Sequence, residues 1–221
     1  MRIVEKHKFP AVLRWGAPIW LAIWVPAYWR TWGAVNFLHF CDIAVVLACA
    51  GLFFDSLLLV SSQAVASILV DLTWIADVSC KLVSGHYLLG GTEYMFDAHY
   101  ALWVRLLSLF HIVMPIALLW ILWRYGYDRR GFILQLGIAL VAFIASRFTN
   151  PALNMNYAFA DPFFHRQWGL APAHILVIFT FMLVVVYLPT HLVLTKFAPE
   201  PSGGSLARAG SSMSKLASHR G

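Results

Sequence analysis

Apolar positions run along this chain in long unbroken blocks, with neither the strict alternation of a half-buried strand nor the narrow stripe of a soluble amphipathic helix. About 20 apolar residues cross a hydrocarbon core ~30 Å thick at 1.5 Å rise each. Six blocks meet that length or approach it, at 11–29, 35–54, 57–83, 100–123, 132–148 and 170–195, and they predict six transmembrane helices. Polar punctuation separates them. Asp55-Ser56 divides the second from the third, "GHYLLGGTEYMFDAH" reads as an exposed loop after the third, "RYGYDRRG" closes the fourth, and Asn150-Pro151 follows the fifth. The first block is the least regular, because Arg14, Pro18 and Pro26 interrupt it. The expected fold is therefore all-α, a polytopic transmembrane bundle over residues 1–198. The small, polar stretch 199–221 is expected to be a disordered cytoplasmic tail.

Composition agrees with the pattern: 61% of the 221 residues are hydrophobic and 12% charged. The cluster Trp15, Trp20, Trp24, Tyr28, Trp29 and Trp32 suits the headgroup level, where amphipathic rings anchor a helix. A net charge of +6 does not point to nucleic acid, since the basic residues lie at the termini and around Arg124, Arg129 and Arg130 rather than on one face. With both ends cytoplasmic, the inside segments hold 11 of the 16 basic residues, and the positive-inside rule favours that orientation. The expected location is a bacterial inner (cytoplasmic) membrane. The basic start lacks the h-region and cleavage site of a secretory signal and is expected to be retained. Cys41, Cys49 and Cys80 all fall within predicted helices, with no C-x-x-C spacing, so free thiols are expected.

Candidate chemistry comes from side chains that lipid disfavours. An ionisable group at a helix centre costs roughly 2.5–3.5 kcal/mol on insertion scales, so each is expected to face protein or a wet cavity. On the third span Asp71, Trp74, Asp77 and Lys81 share a stripe about 120° wide, with Asp77 and Lys81 spaced as an i,i+4 ion pair. On the second, His39 and Asp42 share a face, whereas Cys41 lies roughly 160° around from His39. A base for the thiol must then come from another span. His111 is the first candidate and His174 the second. A thiol beside an imidazole is a competent nucleophile for an acyl carbonyl. Pro115 removes the donor that would bond the His111 carbonyl, and a kink is expected there. Asn150, Asn154 and Asn156 offer amides to a headgroup or an oxyanion, or cap turns.

The motif "LHFCDIA" (38–44) resembles the H-x-C signature of the YwaF-like integral membrane family, which is related to eukaryotic transmembrane phospholipid acyltransferases and lipid-ester hydrolases. "LSLFHIVMPIALL", "NMNYAFADP" and "VVVYLPTHLVL" resemble that family's later histidine-bearing span, its Asn-Tyr loop and its closing span, in order over residues 36–194. The resemblance implies a helical membrane bundle in which Cys41 and His111 hold the positions of the catalytic pair. In the hydrolase branch the nucleophile is Thr, and Cys41 would take its place. The acid of "CDI", the charges of the third span and the Trp-rich first helix depart from that pattern.

The leading expectation is thus a lipid acyltransferase or lipid-ester hydrolase with Cys41 as nucleophile and His111 as base. His39, Asp42, Asp77, Asn156 and His174 are the orienting or substrate-binding candidates. Membrane lipids are the expected partners, with a membrane protein as a further one, and no cofactor is required. A haem or redox subunit using His39, His111 and His174 is the first alternative. Zinc on His39, Cys41 or Asp42, and His111 is conceivable, but no H-x-x-x-H spacing supports it. A non-catalytic transport or assembly component, with Asp71, Asp77 and Lys81 on a polar path, is the third alternative. The fifth span contributes only Gln135 and Ser146 to such a path.

Overall fold

The computed structural model describes residues 8–201, and those residues form helices, short 3-10 turns and loops, with no strand. The basic start at Arg2 and Lys6 and the tail beyond 201 lie outside the described residues. Six helices follow the six apolar blocks. They are α1 (Ala11–Trp32), α2 (Phe40–Phe53), α3 (Leu57–Ser84), α4 (Leu102–Tyr125), α5 (Arg130–Ser146) and α6 (Ala171–Phe197). By length and hydropathy α3, α4 and α6 are each able to cross a membrane. Helices α2 and α5 are apolar but have 14 and 17 residues, about 21 and 26 Å, short of a ~30 Å core. The 3-10 turn Ala34–Leu38 lengthens the α2 segment at its start.

Helix α3 is the axis. It packs against α2, α4, α5 and α6, while α1 covers α2 and touches the start of α4. Its first half is buried all round, from Val60 to Ile68. Small residues permit that density: a Cβ at Gly131 of α5 would lie 2.8 Å from the Ser62 nitrogen, and one at Gly51 of α2 would lie 3.1 Å from the Val60 nitrogen. The outward faces carry exposed Ile19, Leu82, Ile116, Val141, Leu176 and Val193 on five different helices, an apolar belt that water would reject and lipid accepts. The protein is a helical membrane protein.

Local chemistry explains the ends and bends. Ser56 caps α3 by accepting the Leu59 N–H at 3.3 Å, and Gly85, at φ +77°, closes its C-terminus. Arg14, out of place in an apolar helix, pairs at 3.3 Å with Asp55 in the α2–α3 turn. Helix α4 breaks at Ser108–Leu109, between the segments Leu102–Leu107 and Phe110–Tyr125, and runs through Pro115. The helix is unbroken across Pro115, and its interruption lies about two turns earlier. In α6 a π turn, Leu183–Tyr187, precedes Pro189, where a wider turn relieves the clash of the proline ring with the preceding carbonyl. The aromatic first helix is not purely an interfacial anchor: Trp24 and Tyr28 are buried and pack with Phe110, while Trp15 and Trp29 face outward.

One boundary moves. Residues 199–201, expected to begin a disordered tail, lie against the α4–α5 loop, because the Tyr127 N–H donates to the Pro199 carbonyl at 2.9 Å and Arg129 pairs with Glu200 at 3.7 Å. The three cysteines are free, as expected.

The Gly131 contact yields a stability prediction. Gly131→Ala forces a methyl onto the Ser61–Ser62 backbone, which has no flexible end to swing away. A loss of about 1–3 kcal/mol is expected, read as a lower unfolding midpoint in detergent. An unchanged midpoint contradicts this packing.

Candidate active site

A cavity of about 200 Å³ lies at the end of the bundle where α1 and α3 finish and α2 and α4 begin. Its walls are Tyr28 and Trp32 of α1, Asn36, His39, Cys41 and Asp42 around the start of α2, Trp74 of α3, Gly91 and Tyr94 of the α3–α4 loop, and His111 of α4. The topology brings these together because α2 and α4 both begin at this end. Five of the residues singled out as candidate chemistry in the sequence (His39, Cys41, Asp42, Trp74 and His111) meet here. Tyr28, Trp32, Asn36 and Tyr94 complete the walls, and the sequence offered no spacing that would nominate them.

His111 is held in one orientation. Ser108, at the break in α4, presents its carbonyl to both the His111 N–H at 3.1 Å and His111 Nδ1 at 2.8 Å. A carbonyl only accepts, so Nδ1 carries the proton and Nε2 keeps its lone pair. The ring is sandwiched between Trp74, 4.6 Å away and within 6° of parallel, and Phe110 at 4.0 Å. Trp74 is fixed in turn by donating its indole N–H to Tyr94 at 3.1 Å, and Tyr28 shares a 2.6 Å hydrogen bond with Ser108.

Cys41 has a different neighbour from the one anticipated. Its thiol donates to Asp42 Oδ1 at 3.7 Å, and Asn36 donates to Asp42 Oδ2 at 2.6 Å. The thiol's hydrogen bond thus goes to the adjoining carboxylate, with His111 facing the same cavity from α4. His39 is not partnered with Asp42, because it precedes the first turn of α2 with an extended ψ of 138°. The shared face calculated for a continuous helix does not exist there.

Three other candidates hold structure together away from the cavity walls. Asp77 accepts the Leu88, Leu89 and Gly90 N–H groups at 2.7, 2.6 and 3.0 Å and the Thr92 hydroxyl, which ties the α3–α4 loop over the cavity. Lys81 donates to the Gly85 carbonyl at 2.7 Å, so the expected Asp77–Lys81 ion pair gives way to loop anchoring and a helix cap. Asn156, buried at φ +52°, accepts from the Phe40 N–H at 3.1 Å and donates to the Leu38 carbonyl at 2.6 Å and Ser146 at 3.0 Å, splicing the start of α2 to α5. His174 is fully buried with both ring nitrogens engaged, by the Trp168 N–H at 3.1 Å and the Tyr157 carbonyl at 2.9 Å. It is available neither as a base for Cys41 nor as a haem ligand. Asn150 and Asn154 cap and close the 148–160 loop.

Among the described residues, no group of three or more His, Cys, Asp or Glu side chains is arranged to hold a metal ion. The zinc set of His39, Cys41 or Asp42, and His111 is not formed, since His39 lies off the helix and the thiol turns to Asp42. Comparison with known protein families, curated proteins and solved structures finds no match to this chain.

The loop before α6 carries a pH prediction. Burial works to raise the Asp161 carboxyl, but the Phe164, Phe163 and Arg166 N–H groups and the Trp168 indole outweigh it and hold the group below the ordinary carboxylate range. A depressed folded value means that the stabilisation is complete above the unfolded value of about 3.9 and is lost as pH falls through the folded one. Protection of the 161–168 amides, taken relative to their intrinsic exchange rate at each pH, is expected to fall below about pH 4, and Asp161→Asn to show low protection at every pH. Equal protection in both forms at pH 7 counts against this role.

Proposed function

We propose that the protein is a membrane-embedded acyl-transfer enzyme acting on lipid esters, with Cys41 as nucleophile and His111 as general base. The observation that carries this reading is the convergence of the Cys41 thiol, the Asp42 carboxylate and the fixed imidazole of His111 on one cavity of about 200 Å³. That volume is below the ~300–1,000 Å³ of sites for drug-sized ligands, so it suits the ester segment of a lipid rather than a whole macrocyclic cofactor.

The chemistry follows from the atoms in place. The lone pair on His111 Nε2 takes the thiol proton, directly or through Asp42, which already accepts the S–H hydrogen bond. The sulfur then attacks the ester carbonyl, the C–S bond forms, the C–O bond breaks, and the leaving alkoxide takes the proton from the imidazolium. A second alcohol or water attacks the thioester, returns its proton through His111, and releases the acyl product with the thiol restored. The Asn36 amide, which donates to Asp42, keeps the carboxylate turned toward the sulfur. The resemblance of "LHFCDIA" to the YwaF-like family supports the same reading, as does the order of the later motifs. A bacterial cytoplasmic membrane with both chain ends inside is the setting this reading adopts.

A thiol-directed acyl probe applied to the purified protein in detergent tests it. Labelling is expected to map to Cys41 and to vanish in Cys41→Ala. In His111→Gln the labelling rate is expected to fall by about 10²- to 10⁴-fold at neutral pH, because the thiol loses its base. Labelling of the same extent in Cys41→Ala overturns the proposal.

A further inference from the structure

Below the cavity, α3 carries a row of polar atoms that the acyl-transfer chemistry does not use. Asp71, Ser67 and Gln63 are spaced four residues apart on one face of α3 and are 0, 2 and 0% exposed. Both Asp71 carboxyl oxygens, the Ser67 hydroxyl and the Gln63 amide oxygen lack a hydrogen bond of good geometry, although the Ser67 hydroxyl lies beside the Asp71 carboxyl. Unpaired buried groups of this kind are rare, since each costs about 1–3 kcal/mol. Four such atoms on one face of one helix, inside a membrane bundle, call for an occupant.

Polar groups extend from the row toward both ends of the bundle. Toward the cavity, Asp71 lies one turn from Trp74, which lines it, and within electrostatic range of Cys41. Asp42, His39, His111, Tyr28 and Tyr94 are the other titratable groups there. Toward the opposite end, the Gln63 amide donates to Ser62 at 2.7 Å, Ser62 donates to the Leu59 carbonyl at 2.8 Å, and the neighbouring Ser61 hydroxyl accepts from the Asp128 N–H at 3.0 Å. Asp128 belongs to the α4–α5 loop, where it pairs with the exposed Arg130. Tyr187 of α6, a buried hydroxyl whose polar neighbour is Gln135 of α5, packs in the cluster of Val60 and Ala64 beside Gln63.

Spacing discriminates between occupants. Four residues of helix rise about 6 Å, and the row from Gln63 to Asp71 covers about 12 Å. A dehydrated cation draws its oxygen ligands in to roughly 2.0–2.6 Å and cannot serve a row of that length. Water molecules at hydrogen-bond separation of ~2.8 Å bridge groups one turn apart, and internal waters characteristically satisfy two to four otherwise unpaired groups.

We infer that Gln63, Ser67 and Asp71 line a file of internal water through which protons pass between the Cys41–His111 cavity and the Asp128 end of the bundle. Asp71 is the carboxyl along the file that binds and releases the proton. Each transfer breaks one O–H bond and makes another, and the transmembrane gradient drives it with no further reactant. This pathway does not depend on the acyl-transfer reading.

Reconstituted full-length protein tests it. Liposomes are loaded with potassium and a pH-sensitive dye, and valinomycin sets an inside-negative potential in the absence of any acyl donor. The wild type is expected to acidify the lumen several-fold faster than protein-free vesicles. Asp71→Asn is expected to return the rate to the vesicle leak, and Ser67→Ala to do the same by opening a two-turn gap in the row. Ser67→Ala removes one hydroxyl and no bulk, so it decides the matter where Asp71→Asn does not fold. A wild-type rate equal to that of empty vesicles, or a well-folded Ser67→Ala that conducts like the wild type, overturns the inference.

Discussion

Hydrogen-bonding groups taken out of water must find partners inside the protein, and in a bilayer no solvent rescues those that fail. That constraint organises this molecule around α3. Helices facing lipid carry mostly apolar side chains outward, so most buried polar ones collect on the helix with neighbours on every side. Gly131 and Gly51 let α5 and α2 approach α3 closely where Ser61, Ser62 and Gln63 are buried. The close packing and the polarity are linked, because a looser bundle would admit lipid to groups it cannot solvate.

The same constraint accounts for the difference between the two ends of the bundle. At the cavity end, a break in α4 frees the Ser108 carbonyl, and the imidazole of His111 takes it up. The break therefore sets the tautomer, and stacking against Trp74 and Phe110 sets the plane of the ring. Asp77 performs the corresponding service for the loop, collecting three backbone N–H groups that would otherwise be stranded above the cavity. A charged side chain in a spanning helix here works as an acceptor for backbone, a role that leaves it no capacity for chemistry. Asn156 and His174 repeat the device on the far side of α2 and at the start of α6.

What the sequence disclosed tracks the range of the interactions involved. Apolar blocks are local, and all six helices lie where the hydropathy pattern put them, with α3 starting at Leu57 beside the Asp55-Ser56 turn. The meeting of Cys41, Asp42 and His111 was legible because the up-and-down topology fixes which helix ends are neighbours. Side-chain partners were not. His39 was read as part of a regular helix, but the chain enters α2 from a 3-10 turn, and that one irregularity sends Asp42 to Asn36 instead. Asp77 and Lys81 obey the ion-pair spacing, yet three backbone donors of a loop compete better for a carboxylate than one flexible ammonium. Asn36 and Tyr94 reached the cavity through a turn and a loop whose paths no periodicity encodes.

Helix α2 shows how one turn of sequence can serve two environments. Cys41 and Asp42 line the polar cavity, while Leu38 and Ile43 line an apolar groove of about 570 Å³ shared with Ile133, Gly137 and Val141 of α5. Residues 41 and 43 are separated by about 200° around the helix, so the thiol and the groove lie on opposite sides of the same backbone. Asn156 grips that backbone from outside α2, at the Leu38 carbonyl and the Phe40 N–H, without occupying either face. A main-chain clamp of this kind fixes the start of α2 irrespective of the side chains it displays. Polarity on one face and lipid compatibility on the other can then vary independently while the position of the sulfur is kept.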